Sequence, residues 1–251
     1  MKSIVITGAA SGIGKAVADK FYQDGWYVGL FDVAEAPLLS MQEQWGSERC
    51  HIQVVNVTDS DALAVSFEKF VLEAGKLDVL FNCAGLLEFG HFEEISLQRH
   101  HQIIDVNNRG LLNCCYLAFP FLAKTPGARV INMSSQSSMY GVPGLSSYAA
   151  TKSWVKSFTE AINIEWQRHD IHVTDVAPPF VNTPMVSGGS HIKEKAGVNF
   201  SPEDVANQVK KALNSRRTHW RIGLEHKLQN LVQGLTINPV LRLVMKHLSG
   251  Y

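Results

Sequence analysis

Three polar residues in one part of the chain have the types and spacing for proton transfer: Ser135, Tyr148 and Lys152. Tyr148 and Lys152 are four apart in YAATK, inside a window that reads as a helix. Residues so spaced share one helix face, so their two heads can meet over a single ligand. A free phenol, with a pKa of about 10, is a poor base at neutral pH. A neighbouring ammonium stabilises the phenolate and lowers that value, which poises the tyrosine for proton transfer. Ser135 lies 13 residues earlier, just past the apolar segment RVINM. There the carboxyl edge of a parallel sheet would face a ligand crevice, and the hydroxyl could hold a substrate oxygen. Tyr-x3-Lys by itself is common as a core tyrosine beside a surface lysine; its meaning depends on its surroundings.

The N-terminus offers a second chemical signal. TGAASGIG sets Gly8, Gly12 and Gly14 directly after a β-branched run and into the first helix. Glycine suits a turn where backbone approaches a pyrophosphate and helix lies close to strand. Free N–H groups around Ser11, Gly12 and Ile13 would face the phosphates, aided by the helix dipole. The spacing is Gly-x3-Gly-x-Gly, not the generic Gly-x-Gly-x2-Gly. Asp32 stands 20 residues beyond Gly12, at the end of the second strand. A carboxylate there can accept from both adenosine ribose hydroxyls and would repel a 2′-phosphate. No Arg or Lys occupies positions 33–36, and Ser11 rather than a basic residue precedes Gly12. NAD is therefore favoured over NADP; the plainer reading of Asp32 is a solvated strand end.

The elements that must position these groups follow from the apolar pattern. Short strands are expected over 3–7, 26–31, 51–55, 79–81, 129–133 and 171–176, with helical windows near 61–73, 97–123 and 147–169. The first helix carries Ile13, Val17 and Phe21 at four-residue spacing and is stopped by Gly25. Strands separated by helices of this length imply right-handed crossovers and an α/β fold, a doubly wound parallel sheet of Rossmann type. No repeat or Pro/Ser-rich linker divides residues 1–251, so one dinucleotide-binding catalytic domain is expected, with a basic helical extension over about 224–251.

In combination these features resemble the short-chain dehydrogenase/reductase family over 3–183, roughly 70% of the chain. The match rests on TGAASGIG, NCAG, DVNNRG, Ser135, and Tyr148 with Lys152, in the family's order. The resemblance implies a Ser135–Tyr148–Lys152–Asn107 tetrad and hydride exchange with a nicotinamide. Tyr148 would then be the general acid/base, and Ser135 would orient the carbonyl or alcohol. Lys152 would bind the nicotinamide ribose and lower the tyrosine pKa, and Asn107 would hold a water linking Lys152 to solvent. Asn82, Ala84 and Gly85 of NCAG would border the cofactor, as would Asn56 and Val57, with the Asn56 side-chain carbonyl on the adenine amino group. Pro178, Val181 and Thr183 would lie along the nicotinamide, Val181 and Thr183 at its carboxamide. The chain departs from the family at Cys83, which replaces a second Asn, at Asn56, which replaces Asp, and at Pro179, which replaces Gly.

Leu86, Leu87, Met139, Tyr140, Val142, Leu145 and Met185 would ring the nicotinamide, with no Arg or Lys placed to hold a carboxylate or phosphate. An uncharged, lipophilic alcohol or ketone is expected. The loop after Thr183, with Gly188 and Gly189, reads as a flexible lid. Formal charge is zero overall, which gives no reason to expect nucleic acid as partner. That zero divides unevenly: residues 210–251 hold eight basic residues and one acidic, a charge of +7, against −7 in the first 209. LEHKLQNLVQGL and PVLRLVMKHL in this tail are basic and amphipathic. Packing on the core or across a dimer is the favoured reading, ahead of an anionic membrane surface. Two helices apolar nearly all round, 111–122 and 154–166, suggest a further buried face, either inside the monomer or in a homodimer or homotetramer. Four cysteines lack disulfide or CxxC spacing, the histidines lack metal-ligand spacing, and no signal peptide or spanning run is evident, so a cytoplasmic protein without metal is expected. The competing function is a non-catalytic dinucleotide sensor or scaffold on the same fold; a third is a peripheral-membrane dehydrogenase docked by its tail.

Overall fold

The short β-branched runs form seven parallel strands: β1 (Ser3–Thr7), β2 (Tyr27–Asp32), β3 (Cys50–Val54), β4 (Val79–Asn82), β5 (Arg129–Met133), β6 (His172–Ala177) and β7 (His219–Arg221). The computed structural model describes residues 1–186 and 200–223. All seven strands belong to one sheet, ordered β3-β2-β1-β4-β5-β6-β7. Strand order reverses between β1 and β4, and at such a switch point a crevice opens beyond the carboxyl ends of the strands.

Helices α1 (Gly12–Gln23), α2 (Glu35–Trp45) and α7 (Pro202–Leu213) cover one face, and α3 (Ser60–Ala74), α5 (Leu111–Leu122) and α6 (Ser146–Glu165) the other. The two-residue period of a strand supplies both cores from the same segment. In β1, Ile4 and Ile6 join Val17, Phe21 and Val209 on one side, while Val5 joins Phe67, Phe70 and Leu80 on the other. This is why β1 reads as an unbroken apolar run. Strand starts and ends differ from the sequence reading by one residue at several places. Trp26, for example, lies outside β2 and packs edge-on against Phe21 at 4.9 Å between ring centres.

The window 97–123 is not one helix. It divides into α4 (Leu97–Ile104), a π-helical turn (Asp105–Gly110) and α5. Wide turns of this kind interrupt the regular ladder where a side chain must be redirected, and here it carries Asn107 inward. At the end of the window 147–169, Trp166–His169 is a 3-10 turn closed by Asp170 at φ +54°. Gly25 ends α1 with φ +83°, as its position suggested. The exposed side of α5 shows Leu112 and Tyr116, and Ile164 is exposed on α6. Cys50, Cys83, Cys114 and Cys115 are all unpaired, and no helix among the described residues is long and apolar enough to cross a membrane. The amphipathic segments of the tail lie outside the described residues.

Ser201 begins α7 with a capping box: its hydroxyl accepts from Asp204 N at 3.2 Å while Asp204 Oδ2 accepts from Ser201 N at 2.9 Å. α7 buries Val205, Ala206, Val209 and Ala212 against the core that holds α1. Ser201→Ala is expected to lower unfolding free energy by about 1 kcal/mol, read from urea denaturation; an unchanged midpoint would show that packing alone sets this helix.

Candidate active site

The first turn is built by close backbone approach. Gly12 sits at φ +52°, and a Cβ on Gly14 would stand 2.0 Å from Gly8 O, so no side chain fits there. Thr7 closes the other wall, its hydroxyl accepting from Cys83 N at 3.1 Å and Ala84 N at 3.2 Å. That bond pair ties the end of β1 to the end of β4, across the switch point. Ser11 makes no side-chain cap bond and the first turn of α1 holds no acidic residue. The helix therefore presents uncommitted N–H groups to the crevice, the donor set that a pyrophosphate requires.

Asp32 does more than face solvent. Its Oδ2 accepts from Ala10 N at 2.9 Å and its Oδ1 from Ala34 N at 3.0 Å. Each oxygen keeps a further lone pair, so the carboxylate braces the glycine turn and can still receive a ribose hydroxyl. Asn56 and Val57 also line the crevice. The Asn56 carbonyl, read as an adenine acceptor, is engaged locally and accepts from Thr58 N at 3.0 Å. Asparagine readily closes such a two-residue turn on its own backbone.

The crevice and the residues predicted for proton transfer share one cavity of about 900 Å³. Gly8, Ser11, Gly12, Ile13, Gly14 and Asp32 form one end. Ser135, Tyr148 and Lys152 line the other, with Ala84 and Gly85 between. Pro178, Val181 and Thr183 complete the wall above the turn. The Pro178 carbonyl accepts from Gln136 N at 3.0 Å, and the Thr183 methyl lies 3.2 Å from where a Gly12 Cβ would be. The open helix terminus, the turn too tight for a Cβ and the strand-end carboxylate fit a dinucleotide along this wall. The Gly188–Gly189 loop is outside the described residues.

Lys152 reaches from α6 to donate to Met133 O at 2.7 Å and lies 5.6 Å from the centre of the Tyr148 ring. It is buried, and desolvation lowers its pKa to about 8. Tyr148 departs from the expectation of a lowered pKa. Enclosure by protein pushes its phenol up to about 12, against a smaller downward pull from its Ser135 hydrogen bond and a further rise from Cys83. Lys152, itself depressed by desolvation and turned to the Met133 carbonyl, does not offset that burial. The phenol is protonated at neutral pH, a proton donor beside a lysine that titrates close by.

Two predicted site residues lie behind the wall. Asn107 is 1% exposed, and its amide is fully engaged: Oδ1 accepts from Leu86 N at 2.7 Å, and Nδ2 donates to Leu86 O at 3.0 Å and Thr151 Oγ1 at 3.0 Å. Its side chain thus locks α6, one residue before Lys152, to the strand β4 exit. Asn82 points into the protein and donates to Asn132 Oδ1 at 2.9 Å and to Cys115 Sγ at 3.3 Å. It braces β4 against β5 and does not line the cavity. Met139 also turns away, its sulfur receiving Arg221 Nη1 at 2.8 Å.

At the catalytic end, Leu87, Phe89, Tyr140, Val142, Leu145 and Phe180 form an apolar cluster. Sequence reasoning missed Phe180, Gln136, Gln102 and Asp105 in this wall. The last two stand at the junction of α4 and the π-helical turn, and no local pattern announces that they reach the cavity. Among the described lining residues, Lys152 is the sole Lys or Arg.

With this geometry in view, the chain matches the family model for short chain dehydrogenase over residues 2–192. It belongs to that family, whose members are oxidoreductases using a nicotinamide dinucleotide. It is 35% identical over 186 residues to the 3-oxoacyl-(acyl-carrier-protein) reductase FabG of Thermotoga maritima, covering 73% of this chain and 76% of the relative. It is 29% identical over 218 residues to the oxidoreductase UcpA of Escherichia coli K12, covering 86% and 81%. The crystal structure of a 3-ketoacyl-(acyl-carrier-protein) reductase from Brucella melitensis complexed with NADH superposes with a TM-score of 0.81 at 23% identity, covering 88% of this chain and 96% of that one.

The Lys152 result has a direct consequence for stability. Its folded pKa of about 8 lies below the unfolded value of about 10.4, so the unfolded chain binds more protons between them and stability rises with pH across that window. In urea unfolding of the cofactor-free protein, Lys152→Met should be about 2 kcal/mol more stable than wild type near pH 7, the gap closing by about pH 10. A pH-independent difference would mean the ammonium is solvated.

Proposed function

We propose that the protein is an NAD(H)-dependent alcohol dehydrogenase/ketone reductase acting on an uncharged, lipophilic substrate. The observation that carries this reading is one cavity holding Ser135, Tyr148 and Lys152 beside an apolar cluster, with no cation but Lys152 among the described lining residues. A bound nicotinamide supplies or accepts the hydride. Ser135 orients the substrate oxygen, Tyr148 gives or takes its proton at Oη, and Lys152 holds the nicotinamide ribose and the tyrosine's charge balance. The apolar cluster excludes water and takes the substrate's carbon body. A carboxylate or phosphate on the substrate would find no bidentate partner there.

NAD is favoured over NADP by Asp32. A 2′-phosphate would meet a carboxylate already anchored by two backbone N–H groups and unable to swing away without releasing them. Exposed Leu112 and Tyr116 on α5 and Ile164 on α6 support a homodimer or homotetramer, and the unpaired cysteines support a reducing, cytoplasmic location.

A panel of sterols and of aliphatic and aromatic alcohols and ketones, followed through NADH absorbance, tests the substrate class. Preferred turnover of carboxylate- or phosphate-bearing substrates would reject it. On the best substrate, Tyr148→Phe is expected to lower kcat at least about a hundredfold while NADH binding persists; retained turnover would remove Tyr148 from proton transfer. Asp32→Ala should weaken NADH by about tenfold or more and NADPH far less, read from cofactor fluorescence titration. Equal losses for the two cofactors would count against ribose recognition.

A further inference from the structure

His219 stands in the three-residue edge strand β7, and each of its ring nitrogens faces a carboxylate. Nδ1 is 2.5 Å from Asp175 Oδ2 on β6, and Nε2 is 2.9 Å from Glu160 Oε1 on α6. A neutral imidazole has one N–H and would aim a lone pair at one of these anions; the imidazolium donates to both. The Asp175 side chain is 2% exposed, and a carboxylate so enclosed needs a partner. Burial pushes its pKa up while His219 pulls it back, and the hydrogen bond to Asp175 leads the causes that raise His219.

This group lies under the catalytic turn. The 3-10 turn Gln136–Met139 follows Ser135 directly, with the active-site cavity on one side. On its other side Ser138, Met139, Lys156, Asp175 and Arg221 surround a small gap, and Gln136 borders both. Lys156 and Arg221 are the remaining charges that face Asp175. Lys156 also meets Glu160 at 3.8 Å, and Arg221 donates to the Met139 sulfur at 2.8 Å. β6 runs on from Asp175 to Ala177 and Pro178, whose carbonyl holds Gln136 N. Glu160 stands on α6, the helix that also carries Tyr148 and Lys152, about two turns beyond the lysine.

We propose that His219 is a positioning residue for catalysis: as an imidazolium it neutralises Asp175, ties β6 and β7 to α6, and so fixes the Ser135 turn against Tyr148. Its loss leaves a buried anion beneath that turn, which then shifts or admits water. Because the clamp needs both the His219 proton and an ionised Asp175, its contribution is complete just below the free imidazole pKa of about 6.5 and disappears as pH rises through the raised pKa of His219.

The test has one arm that needs no substrate. In the full-length wild-type protein at about pH 7.5, where a free imidazole with pKa about 6.5 is mostly neutral, both His219 ring nitrogens should give imidazolium 15N shifts. The Tm advantage of wild type over His219→Gln should be largest near pH 6 and close as pH rises. In turnover of a ketone with NADH, His219→Gln should lower kcat about tenfold while NADH Kd changes less than about twofold. Adding Asp175→Asn removes the stranded anion, so the double variant should recover to within about threefold of wild type. A neutral His219 at pH 7.5 or a pH-independent Tm difference overturns the proposal. So does an unchanged kcat in His219→Gln, or a double variant no better than the single.

Discussion

A buried ammonium is the constraint around which the site is arranged. Lys152 loses its hydration inside the protein and receives in return the Met133 carbonyl. For that exchange to work, α6 must lie close to the end of β5 and hold one register. Buried polar contacts on both sides of the lysine fix it: Thr151 receives the Asn107 amide, and Thr159 Oγ1 receives Asn132 Nδ2 at 2.9 Å, one residue before Met133. Ser153 adds a bond to Ser138 O at 3.1 Å on the catalytic turn. Gly85 completes the fit, since a Cβ there would press on Asn107 Oδ1 at 3.3 Å and lie 3.9 Å from Lys152 Nζ. The desolvation that depresses Lys152 also raises Tyr148. One cause therefore makes the lysine a ready proton exchanger and keeps the tyrosine a donor, and the fold sacrifices stability to maintain it.

Two strands of the sheet carry carboxylates that are handled by different means. Asp32 at the end of β2 is met by backbone N–H groups, which satisfy the anion while leaving its outer lone pairs for a ligand. Asp175 in β6 is enclosed, and a cationic side chain from the neighbouring strand answers it. The difference follows from burial: the half-open group can remain available, and the closed one needs neutralisation. The uneven charge of the sequence gains a structural sense here. Basic residues from the C-terminal part turn back on the acidic body, as Lys210 does on Asp24 at 2.7 Å and Arg221 does near Asp175.

Much of this was legible in the residues themselves. The glycine turn, Asp32 and the Ser135, Tyr148 and Lys152 set could be read because each depends on short-range spacing: a turn after a strand, a strand end, one helix face. The stop at Gly25 was local too. The errors share a different character. Asn82 and Met139 sit at expected places in the chain, yet their side chains point elsewhere, toward Asn132 and Arg221. The direction of the Tyr148 shift was misjudged because spacing shows that a lysine is near, not how much water both groups have lost.

The sequence by itself determined the order of strands and helices, the glycine turn after β1 and the residue types at the Ser135–Tyr148–Lys152 end of the cavity, because local sterics and period decide these. Tertiary structure alone decided which asparagines reach the cavity, that Gln102 and Asp105 line it, and the meeting of Glu160, Asp175 and His219. Those outcomes depend on how deeply each group is buried and on which of three separate elements it faces, and neither property is written in a chain's neighbouring residues.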